Sequence, residues 1–119
     1  MTTQLPLPDD KKMVILIRVE PGCLGPDGKS HIEPFCIYMQ SHVASVHSDF
    51  AKWEIRPRHD KTHPELEYFF MNKKLTPARV EKYLHFFNLD LALFENEIHE
   101  LLDQQIEQFH ASPSNTPMH

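Results

Sequence analysis

From Ala51 to Pro57 apolar and polar residues alternate without a break, Ala51, Trp53, Ile55 and Pro57 against Lys52, Glu54 and Arg56. That is the period of a strand with one wet face. Leu66, Tyr68 and Phe70 repeat the alternation after a loop over residues 59–64. The two runs read as a hairpin that sets Pro57 by Leu66, Ile55 by Tyr68 and Trp53 by Phe70. The same register brings Arg58 to Glu65 and Arg56 to Glu67, and a slip of one residue would lose every pair.

Upstream, residues 13–20 are β-branched and apolar, with Met13, Ile15, Ile17 and Val19 on one face and Val14 and Leu16 on the other. This predicts a strand covered on both sides for half its length. All three glycines and two prolines fall in residues 21–28, a turn-rich loop. Ser30 and Glu33 form a capping box, which predicts a helix from Ser30 with Pro34 still in its first turn. Its apolar stripe is Ile32, Phe35, Cys36, Met39 and Val43. Thr76 and Pro77 open a second helix to about residue 87, with Val80, Tyr83, Leu84 and Phe87 inward. Asn88 closes it, and Asp90 caps a third to about residue 110, carried by Leu91, Phe94, Ile98, Leu101, Leu102 and Phe109.

The predicted class is α+β, in the order β-α-β-β-α-α: one domain over residues 13–110 between disordered tails at 1–12 and 111–119. Pro57 lacks a ladder donor and marks an edge strand. Leu66 to Asn72 has no proline and carries Phe69 and Met71 on its second face, as a central strand does. The expected three-stranded mixed sheet therefore has the order 2-3-1, with 1-2-3 as its competitor, and packs with three helices. Order 2-3-1 resembles the first half of a split β-α-β, ferredoxin-like architecture, which hosts many functions and transfers none. In it Val14, Leu16, Phe50, Phe69 and Met71 share a second apolar face that a helix or another subunit must cover.

Composition narrows the function classes without naming one. The chain has 119 residues and a formal charge of -5, which opposes bulk nucleic-acid binding. From Asp90 onward six acids stand with no Lys or Arg, whereas residues 52–74 hold six bases against four acids, so the chain pairs a mildly basic hairpin with an acidic last helix. Its longest apolar run, Met13 to Ile17, is far too short for a membrane span. Cys23 and Cys36 show no paired spacing, and a reducing cytoplasm is the expected compartment.

Three groups could carry chemistry. His59 and His63 lie four apart in the 59–64 loop and could share a metal only if the loop curls, with Asp60 as the sole nearby third ligand. Solvated loop histidines is the plainer reading, and no cofactor is expected. Cys23 and His31, beside a helix start, could form an activated thiol, but the glycine-rich loop matches no phosphate-binding fingerprint. Arg56, Arg58 and Lys61 form a basic group that suits a solvated strand face first and an acidic protein partner second. The leading expectation is a small cytoplasmic binding or adaptor protein. It would be a homodimer or bind a protein partner, using the apolar face (Val14, Leu16, Phe50, Phe69, Met71) or the last helix, whose apolar 3-4 spacing Gln105 interrupts. A small metal-assisted or cysteine/histidine-dependent enzyme is the rival, and an RNA-binding module ranks last.

Overall fold

The computed structural model describes residues 5–111. Among them are three α-helices and one four-stranded mixed sheet, an α+β protein: β1 (Met13–Val19), α1 (Gly28–Val43), β2 (Ala51–Pro57), β3 (Leu66–Phe70), β4 (Lys73–Lys74), α2 (Pro77–Phe86) and α3 (Leu91–Ala111). Short 3₁₀ helices at Asp9–Lys11 and Pro21–Leu24 precede β1 and α1. The chain separates into two compact units, Met1–Pro77 and Ala78–His119. The boundary also divides the charge. Acids and bases balance up to Pro77, and beyond it Arg79 and Lys82 face seven acids.

The sheet order is β2-β1-β3-β4, with β1 parallel to β2 and antiparallel to β3. This corrects both expected orders and dissolves the hairpin, because β1 lies between its two halves. Ile15 stands opposite both Trp53 and Tyr68, and Ile17 opposite both Ile55 and Leu66. The physical reason is burial: β1 has five of its seven residues buried, Leu16 on the second face included, and the strand apolar on both faces takes the centre. β1, α1 and β2 thus make a plain β-α-β unit with its strands adjacent, not a split one. Pro57 does lie in an edge strand.

One sheet face makes the core of the first unit. Met13, Ile15, Ile17, Val19, Trp53, Ile55 and Tyr68 are buried there, together with the α1 stripe Ile32, Phe35, Cys36, Met39 and Val43. Each such large side chain contributes roughly 1.5–3 kcal/mol. The indole of Trp53 donates to the Val46 carbonyl (2.7 Å), so its one polar atom is satisfied.

Helix α1 starts two residues before the expected Ser30. Asp27 precedes its first turn, and the Ser30 hydroxyl donates to the Asp27 carbonyl (2.9 Å) instead of capping. Pro34 consequently sits inside the helix, past its first turn. Of the tail expected over 1–12, residues 5–12 are described, and the Leu7 amide donates to the Asp49 carbonyl (2.8 Å). The tail expected at 111–119 lies outside the described residues apart from Ala111, the last residue of α3.

Met71 is not a sheet-face residue. The third strand stops at Phe70, and Met71 and Asn72 form a two-residue turn into β4, with φ of 51° and 68°. Positive φ at both central residues is the signature of the primed hairpin turn, which suits Asn but strains Met. Met71→Gly is expected to stabilise the chain by about 1 kcal/mol, read as a raised urea midpoint with an unchanged slope.

In the second unit the helix ends follow their sequence signals. The Asn88 amide donates to the His85 carbonyl (3.0 Å) and the Leu89 amide to the Leu84 carbonyl (2.9 Å), with Asn88 at φ 61°. That is a Schellman closure, with Asn in place of the usual Gly. Asp90 Oδ2 accepts from the Leu93 amide (3.1 Å), capping α3. Val80, Leu84, Phe94, Ile98 and Phe109 are buried, and so is Gln105, whose Oε1 meets no hydrogen-bond partner among the described residues.

Candidate functional site

Beside the β2 edge, α1 leaves a groove of about 640 Å3. Its helix wall is Glu33, Cys36, Ile37, Gln40 and Ser41, and its strand wall is Ile55, Arg56 and Pro57 with His59 beyond. The helix residues fall at i, i+3, i+4, i+7 and i+8, a second stripe beside the buried one. Ile37, 73% exposed, is the apolar residue that this second stripe leaves uncovered.

Gln40 spans the groove. Its Nε2 donates to the Trp53 carbonyl (2.7 Å) and its Oε1 accepts from the Ile55 amide (2.9 Å). Two outward backbone groups of an edge strand are thereby engaged by a side chain. At one end the Ala51 amide is held by the His47 carbonyl (2.9 Å), and at the other Pro57 has no N–H to offer. An edge treated in this way is protected against indiscriminate strand pairing.

The polar groups in and beside the groove suit holding better than reacting. Burial, with Glu33 adding to it, pushes the Cys36 thiol up to about 11, so it stays protonated near neutrality. The Ser41 hydroxyl donates to the Tyr38 carbonyl (2.9 Å). His42 Nδ1 lies 2.7 Å from the same carbonyl and must carry the proton there, so it cannot serve as a base toward Ser41 Oγ at 3.3 Å.

The residues singled out in the sequence are distributed differently. Val14 and Phe69 are half-buried and directly opposite each other, while Leu16 and Phe50 are buried. The face that carries Val14, Leu16 and Phe69 also carries Lys52, Glu54, Arg18, Glu67 and Lys74, so it is not a continuous apolar surface. Glu67 does not meet Arg56, as the hairpin register required, since β1 intervenes. It is paired instead with Arg18 and with Lys74 Nζ (2.8 Å). Arg56 turns to Glu54 (2.9 Å) and is 61% exposed.

Arg58 is held on several sides by its neighbours. It reaches Glu20 Oε1 (2.7 Å), the carbonyls of His63 (2.9 Å) and Lys61 (3.1 Å), and Glu65 (3.7 Å), and it is only 17% exposed. Lys61 stays exposed, 4.0 Å from Glu20 Oε2. Cys23 is exposed on the 3₁₀ turn before α1 and His31 is half-buried in the first turn of α1, and neither lines the groove. His59 borders the groove and His63 is exposed in the loop. Among the described residues no group of three or more His, Cys, Asp or Glu is arranged to hold a metal ion.

The sequence pattern did not single out Gln40 or Ile37. Ile37 carried one signal, an apolar residue one position off the buried stripe, and Gln40 reads as an ordinary wet-side residue. Comparison of the chain with protein-family models, curated proteins and solved structures returns no match. No helix among the described residues is long and apolar enough to cross a membrane.

Proposed function

We propose that this protein is a small binding or adaptor module that holds a segment of a partner protein in the groove between α1 and the β2 edge. The observation that carries the reading is the groove itself: a concave site beside an edge strand, with exposed Ile37 and with Ile55 and Pro57 as its apolar walls. Its two cysteines, Cys23 and Cys36, have no paired spacing in the sequence, which fits work in a reducing compartment such as the cytoplasm. Interrupted by charge, the Val14, Leu16 and Phe69 face is the weaker surface for a contact between copies.

Selection of a displayed peptide library against the native chain tests the reading, with Ile37→Asp as the counter-target. Because Ile37 is exposed, the variant should fold normally. Selected peptides are expected to bind the native chain at least about tenfold more tightly than the variant, as burial of one anchor side chain requires. Enrichment indifferent to Ile37→Asp would move the site elsewhere.

A further inference from the structure

Gln40 does for β2 what one residue of a neighbouring strand would do. In a parallel ladder a single neighbour residue donates its N–H to the carbonyl of residue i−1 and accepts from the N–H of residue i+1. Gln40 makes both bonds around Glu54, to the Trp53 carbonyl (2.7 Å) and from the Ile55 amide (2.9 Å). Its primary amide is chemically a peptide group held in the position of an absent strand.

We infer that the groove takes an extended peptide that adds to β2 in parallel, displaces the Gln40 amide and carries the side-chain order acid, apolar, base, apolar, acid. This deepens the binding-module reading and rests on it. Charge sets the order. Lys52, Glu54 and Arg56 alternate in sign along one face of β2, and none of the three is buried. An added strand in the Gln40 register places a residue opposite Glu54 and its i±2 neighbours opposite Lys52 and Arg56. Opposite charges there give a base between two acids. The intervening side chains turn to the helix side, toward Ile37 and Cys36, and are apolar. Pro57 and the engaged Ala51 amide confine pairing to about five residues, so the affinity is modest and the charge order supplies much of the selectivity.

The probe is acetyl-EVKVE-amide, with acetyl-KVEVK-amide as the charge-reversed control. Both are titrated into the 15N-labelled full chain and its Gln40→Ala variant. In the variant the Ile55 amide should exchange with solvent at least about tenfold faster than in the native chain, and acetyl-EVKVE-amide should restore its protection. The variant should also bind that peptide on the order of fivefold more tightly, since roughly one net hydrogen bond no longer competes. Gln40→Glu guards against a folding defect in the alanine variant. Its carboxylate can still accept from Ile55 but cannot donate to Trp53, and it should bind with intermediate strength.

Equal binding of the charge-reversed peptide overturns the charge order. Shifts at Ile37 without protection of the Ile55 amide overturn strand addition while leaving the groove reading intact. Silence of both peptides in Gln40→Ala also overturns strand addition, and the Ile37-dependent selection then decides the groove reading separately. A rise in mass of Gln40→Ala without peptide, seen by sedimentation, makes a second copy the occupant and overturns the foreign-peptide assignment.

Discussion

Gly28→Ala is expected to destabilise the protein by about 3 kcal/mol or more, with a melting point lower by on the order of 10 °C. A Cβ at position 28 would stand 1.7 Å from the Pro21 carbonyl oxygen and 2.6 Å from its carbonyl carbon. Both are backbone atoms, so no side-chain rotation relieves the clash. Either the 3₁₀ turn Pro21–Leu24 or the first turn of α1 must move, and Gly28 is buried where the two meet. Helix propensity alone favours alanine over glycine, so the two effects predict opposite signs and the steric one dominates. Gly22→Ala is the control: nothing lies within 4 Å of a Cβ there, and its stability should change by no more than roughly 0.5 kcal/mol. Thermal and urea melts of the two variants decide the matter. An alanine at 28 as stable as native would mean that the close approach to Pro21 is absent in solution.

What the sequence made legible, and what it did not, follows from which signals are local. Asn88, Asp90 and Pro77 marked helix ends correctly because a cap acts within one turn of chain. The α1 stripe was complete for the same reason. Strand partnership is not local, and here the alternation was blind to it. Inserting β1 between β2 and β3 leaves Trp53, Ile55, Leu66 and Tyr68 on one face, since each still stands opposite Ile15 or Ile17. The side chains therefore satisfy the wrong pairing almost as well as the right one. The pair Arg58 and Glu65 even survives in space at 3.7 Å, because Arg58 lies just past the end of β1 while Glu65 stands beside Arg18, whose amide donates to its carbonyl (2.8 Å). The one discriminating clue was that β1 is apolar on both faces, the mark of a central strand. The groove was illegible for a related reason: Gln40 becomes special only when α1 is laid against an edge whose carbonyl and amide it can reach.

Glu67 shows the same lesson in energetic form, and its replacement should have the second-largest effect. In the sequence it is one acid in an alternating strand, yet it is only 9% exposed and sits between Arg18 and Lys74. Its carboxyl is held below the ordinary value of 4.5, by the Lys74 hydrogen bond first and by Arg18, against burial, which pushes the other way. Glu67→Gln is expected to destabilise the protein at pH 7 by about 2–3 kcal/mol. The loss is less than for a fully buried pair because Lys74, 61% exposed, can return to water and Arg18 keeps the Pro64 carbonyl at 2.9 Å. The sign of the pH dependence is fixed by the lowered value. The ionic contribution of Glu67 is fully present above its unfolded value near 4.5 and is lost as the pH falls through the lower folded one. Urea midpoints of native and variant chains should therefore converge between pH 5 and the acid limit, since the protonated glutamic acid and the glutamine amide are then alike in charge. Asp60 supplies the contrast. Its carboxyl is also lowered, by the Thr62 hydroxyl (2.6 Å) and amide (2.9 Å), but it is exposed, and Asp60→Asn should leave the acid limb nearly unchanged. A stability gap that stays constant from pH 7 to pH 3 would show that the ionic contacts of Glu67 contribute nothing and that only its packing counts.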